Sequence, residues 1–159
     1  MNQAQWMEEA LELAREAAAA GETPVGAVIA DRDGKIIGRG RNARQAGDPL
    51  GHAELYAIAE AARTSGDWRL EGTTMIVTLE PCAMCAGALV NARVDRLIFA
   101  ASDPKAGFCG SLGNLVQDSR LNHRMEVESG FMEEQSRELL QDFFRQLRQR
   151  DRTERWQSG

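Results

Sequence analysis

Two short stretches of this chain hold side chains that could do chemistry together. The first is His52-Ala53-Glu54; the second, about thirty residues later, is Pro81-Cys82-Ala83-Met84-Cys85. One imidazole and two thiols form a borderline-soft ligand set that suits zinc. Three protein ligands with an open fourth position are what a catalytic zinc needs, whereas a structural zinc closes its shell with four. Glu54 adds a carboxylate for proton transfer. Neither stretch decides alone. A Cys-x-x-Cys pair can be a redox dithiol, although the βαβ opening of a thioredoxin-like chain is missing here. Buried inert cysteines beside a hydrogen-bonded histidine are another reading. A zinc-stabilised binding module is a third, and it has no use for Glu54.

The site requires elements that bring residues 52 and 82 together. Apolar spacing predicts an amphipathic helix over 3–20, closed by Gly21, and a hairpin of strands 25–30 and 35–40 about the turn Asp31-Arg32-Asp33-Gly34. A loop over 41–51 leads into a helix over 52–64, a buried strand over 73–78 and a small-residue helix over 82–91. On that last helix Cys82 and Cys85 share one face, and Pro81 fits its first turn because the missing N–H would be unpaired there. Both the thiols and His52 then lie at helix N-termini, where positive dipole ends favour negative charge. A strand over 96–101, a glycine-rich loop with a short helix or turn, a strand over 125–128 and a helix from about Glu133 complete the order. Helices alternating with strands imply an α/β protein, a three-layer α/β/α sandwich around one sheet.

The 159 residues suit one domain, read here as 1–150 with a basic C-terminal tail over 151–159. No apolar run is long enough to span a bilayer, and no secretory signal opens the chain, so a cytoplasmic location is expected. Three cysteines make a poor disulfide framework, leaving Cys109 as a small packed residue. His123 reads as a surface or hydrogen-bonding residue. A net charge of -5 argues against coating nucleic acid by charge alone. It leaves room for a local track, and Arg145, Arg148, Arg150, Arg152 and Arg155 supply one.

The paired motifs resemble the signature of zinc-dependent deaminases of the cytidine/deoxycytidylate deaminase superfamily. Gly21–Val28, Thr78–Ala88, Gly110-Ser111-Leu112, Asn122-His123-Arg124 and Asp142–Arg145 are similar, more narrowly, to the prokaryotic-type tRNA-specific adenosine deaminases. Leu50-Gly51 stands where that branch has Thr-Ala, and Phe108 brings a ring to a glycine-rich loop, where it could reshape the substrate entrance. The resemblance implies a cytidine deaminase-like single mixed sheet with helices on both faces. It also implies one Zn2+ per subunit on His52, Cys82 and Cys85, with Glu54 as proton shuttle. Asn42, Pro24, Val25, Ala53 and Phe144 are then the expected substrate contacts, and the wobble adenosine of a tRNA anticodon loop, converted to inosine, is the expected target. A homodimer without an organic cofactor or membrane partner completes the expectation. The rival within enzymes is a deaminase of a free base or nucleoside such as guanine or cytosine.

Overall fold

A computed structural model describes residues 1–158. Helix α1 (Gln3–Ala19) starts on a reciprocal cap, in which the Gln5 N–H donates to Asn2 Oδ1 at 2.9 Å and the Asn2 N–H donates to Gln5 Oε1 at 2.8 Å. Strands β1 (Gly26–Ala30) and β2 (Ile36–Arg41) form the hairpin. They are followed by α2 (Ala53–Ser65), β3 (Thr74–Leu79), α3 (Ala83–Asn91), β4 (Arg96–Ala101), β5 (Glu126–Ser129) and α4 (Glu133–Ser158). The five strands lie in the order β2-β1-β3-β4-β5. β1 is antiparallel to both neighbours, while β3, β4 and β5 are parallel. The sheet is therefore mixed, as expected.

Its two faces are both covered, which is why the inner strands read as almost unbroken apolar runs. Met7 and Leu11 of α1 pack with Leu139 of α4 over Val28, Ile76 and Ile98. Ala53, Ala57 and Ala61 of α2 join Ala86 and Leu89 of α3 over Ile29, Met75, Val77 and Phe99. The three-layer sandwich follows, with α2 and α3 sharing one face. No described helix is long and apolar enough to cross a membrane.

Three local expectations change. Cys82, not Pro81, begins α3: it is the N-cap, with extended backbone, so only Cys85 lies within the helix proper. Between β4 and β5 the turn alternative holds: residues 102–125 contain no helix among the described residues, because their polar groups bond to turns and to a buried carboxylate. β5 starts one residue late, since the Met125 N–H is taken by Val116 O at 2.8 Å before pairing with β4 begins. α4 continues through 151–158, the stretch expected as a tail, while Gly159 lies outside the described residues.

The contact of α2 with β2 sets the height of the site above the sheet. A Cβ at Gly40 would run into the backbone of Ala53 and Ala57, and one at Gly38 into that of Ala57 and Ala61. Gly40→Ala is predicted to lower the unfolding free energy by about 1–3 kcal/mol. Urea titration should show a lower midpoint at unchanged m, and metal analysis less bound metal, because Ala53 separates His52 from Glu54.

Candidate active site

His52 is the N-cap of α2 and Cys82 the N-cap of α3. Both have extended backbone, and neither side chain bonds to its own helix end, so both are free to turn towards each other. Cys85, one turn into α3, is fully buried. His52 Nδ1 lies 3.5 Å from Cys82 Sγ and 3.4 Å from Cys85 Sγ, and the three ligand atoms all lie within 4.8 Å of one another. A tetrahedral zinc with Zn–N of about 2.0–2.1 Å and Zn–S of about 2.3 Å sets an N···S edge of about 3.6 Å. The donor set fits the metal in both chemistry and spacing.

The protonation pattern supports that fit. A thiol hydrogen bond from Cys85, aided by His52, pulls the Cys82 pKa down to about 3 against the cost of burial. The same bond, with burial, pushes Cys85 far above the ordinary thiol range. His52 is raised by its bond to Cys82. One proton thus holds together two sulfurs that a divalent cation would hold as two thiolates. Glu54, only 4% exposed, is raised by burial and takes no place in the ligand cluster.

These groups sit at the inner end of a cavity of about 200 Å³ lined by Val25, Asn42, His52, Glu54 and Cys82 on one side and by Leu79, Glu80, Asp103 and Ala106 on another. Glu22, Thr23, Arg44 and Gln45 complete it. The volume suits a single heterocyclic base and falls below the roughly 300–1,000 Å³ of drug-sized pockets. The site lies where β3 ends, the usual place for ligands at the carboxyl edge of parallel strands.

A profile of the MafB19-like deaminase family matches residues 1–148. The tRNA-specific adenosine deaminase of Bacillus subtilis (strain 168) is 47% identical over 151 residues, covering 94% of this chain and 93% of its own. The chain belongs to this deaminase family. A solved structure from work on A-to-I editing by tRNA:A34 deaminases superposes on the deaminase with a TM-score of 0.82 and 40% identity, over 87% of this chain and 100% of that one. The guanine deaminase of Bacillus subtilis superposes less completely, with a TM-score of 0.60 and 38% identity over 64% and 66% of the two chains.

Within the deaminase, the fold gathers His52, Glu54, Cys82 and Cys85, with Val25 and Asn42 on the cavity wall. Ala53 acts through its backbone, its N–H donating to Asn42 Oδ1 at 3.0 Å. Pro24 is buried beside the wall and does not line it. Phe144 lies elsewhere, in a shallow hollow with Lys105, Arg145 and Arg148. The Phe108 ring also stays out of the cavity lining; it packs on the core and against Gly113. His123 Nε2 donates to Val94 O at 2.6 Å and Cys109 is buried, each away from the cavity lining.

Arg44, Gln45, Asp103 and Ala106 were not visible as site residues because the first two lie on a single 3-10 turn and the others in an irregular segment, with no period to place them. Glu80 was visible only as part of a motif, yet its carboxylate accepts hydrogen bonds from Asp103, Cys109 and Ser111. Burial raises its pKa, but those bonds outweigh burial and leave it below the usual carboxylate value. Cys85→Ser is expected to strip the metal: loss of an outer partner of a ligand already costs about 10–100-fold in affinity. Elemental analysis after dialysis should find clearly less than one metal per chain, and full occupancy would remove Cys85 from the ligand set.

Proposed function

We propose that this enzyme deaminates adenosine to inosine at the wobble position of tRNA. In this reading one zinc per subunit is held by His52, Cys82 and Cys85, with Glu54 as the proton carrier. The observation that carries the reading is a three-ligand cluster beside a buried spare carboxylate, inside a cavity of base size. Bound zinc would supply Lewis acidity that makes water nucleophilic near neutral pH. Glu54 takes one proton from the attacking water and delivers it to the ring nitrogen beside the amino-bearing carbon; it then takes the second proton from the newly added hydroxyl and gives it to the departing amine as the C–N bond breaks. Water oxygen replaces nitrogen on the ring, and ammonia leaves. Asn42 Oδ1 is occupied by the Ala53 N–H, so its Nδ2 is the group left to donate to a ring acceptor of the base. Val25 and Leu79 offer apolar sides to the ring.

A tRNA substrate also needs phosphate contacts outside the cavity. Arg145, Arg148, Arg152 and Arg155 recur at three- and four-residue steps, which places them along one side of α4, and all four are exposed. Arg145 and Arg148 share their hollow with Lys105, and Lys105 adjoins the cavity residue Ala106. A basic path therefore runs from the helix to the pocket mouth in a chain whose net charge is -5. Phe144, 41% exposed beside that path, can stack on an unpaired base. Phosphate contacts of this kind have no use for a free base, so the guanine or cytosine reading ranks second. Exposed Leu50, Met84 and Leu112, each close in sequence to site residues, support pairing of two copies. In this reading the enzyme works in the cytoplasm.

The deciding experiment incubates zinc-loaded protein with an adenosine-34 tRNA transcript, guanine, cytosine and adenosine separately. Ammonia release and inosine detection on the transcript alone are expected; turnover of a free base alone would select the rival. Glu54→Gln should keep its zinc and its thermal midpoint while losing at least about 10²–10⁴ in kcat. A double variant, Arg148→Ala with Arg152→Ala, should weaken tRNA binding and flatten the slope of log affinity against log salt by about 1.4–1.8. An unchanged slope would remove these arginines from the interface.

A further inference from the structure

Glu80 is a buried carboxylate that the chemistry does not use. It is 3% exposed and carries four donors. The Asp103 N–H, at 3.0 Å, and the Ser111 hydroxyl reach Oε1; the N–H groups of Cys109 and Ser111, each at 3.0 Å, reach Oε2. All four come from the irregular segment between β4 and β5. That segment approaches so closely that a Cβ at Gly107 would collide with the carboxylate. Gly107 also bridges to Cys82, and the Phe108 N–H donates to Pro81 O at 2.9 Å. The same segment supplies Asp103 and Ala106 to the cavity wall.

We infer that Glu80 is a positioning residue that fixes this wall against the metal-ligand segment, and so sets how the substrate base and its neighbours are held. The inference rests on reading the cavity as the adenosine site. A carboxylate is the group the position requires, because both oxygens face only donors. A glutamine of the same length shows why. Its Oε1 can serve the Cys109 and Ser111 N–H groups, and the Ser111 hydroxyl can rotate to accept from its Nε2. The Asp103 N–H cannot rotate and would face another donor. Glu80→Gln therefore cuts one bond of the four, the one nearest the cavity lining, whereas Glu80→Ala cuts them all.

The test uses zinc-loaded protein. In Glu80→Gln, amide-resolved hydrogen exchange should speed up at Asp103 by about tenfold or more while Cys109 and Ser111 stay protected. In Glu80→Ala all three should speed up. With an adenosine-34 anticodon stem-loop, Glu80→Gln should raise KM about tenfold and leave kcat within about threefold, with one zinc retained. Unchanged KM, or unchanged exchange at Asp103, overturns the inference. A fall in kcat at constant KM would move Glu80 into the chemical step, and loss of zinc would reduce it to a support for Cys82; both outcomes also overturn it. The unsubstituted enzyme is assayed alongside. If that enzyme leaves the stem-loop unedited, the substrate reading fails, while exchange at Asp103 still decides whether the carboxylate holds the wall.

Discussion

Two helices that begin at the same point in space are the constraint on which this molecule depends. α2 and α3 pack on one face of one sheet, and their N-caps are His52 and Cys82. Each helix start presents unpaired N–H groups and a positive dipole end, which lowers the cost of gathering two sulfurs and a carboxylate in a dry place. The sheet makes the convergence possible. β3 delivers Cys82 from its carboxyl end, and the glycines of β2 let α2 sink far enough for His52 to meet it. Alanines at 53, 57 and 61 continue this close contact along the helix.

Much of this was legible from residue types. Four helices, five strands and the metal-ligand set follow from periodicity and from the two motifs, because each is written locally. The cavity wall was less legible. Asn42 could be picked out by its resemblance to the family's asparagine, but Asp103 and Ala106 belong to a segment tied down by distant groups, Glu80 among them, a link across 23 residues for Asp103. Pairing of a buried carboxylate with distant amides leaves no period in the sequence. The start of α3 was misplaced by one step for a similar reason. A proline fits either just inside or just before a helix start, and here Cys82 takes the cap with extended backbone, leaving Pro81 outside. Phe144 falls in α4 as its spacing predicts but outside the cavity, since helical phase says which residues share a side but not what that side meets.

Catalytic and recognition parts differ in how they are held. Glu54 and Glu80 are carboxyl groups in the interior, where burial disfavours the charged form of both and hydrogen bonds outweigh it at Glu80. The arginines of α4 are in water, where exposed ion pairs such as Arg145–Asp142 add little to stability. Substitutions in the first group disturb the packing around the cavity; substitutions in the second change surface charge and leave that packing in place.

Every residue of α4 from Phe144 to Ser158 is exposed, with Gln146, Leu147 and Arg150 sharing a hollow with Ala18 and Gly21 and the turns after them standing at the surface. Selection can therefore lengthen, shorten or recharge this segment without disturbing the furnace beneath it. A lineage could redraw the charge of this surface in a few steps, while its cleft stayed as it was.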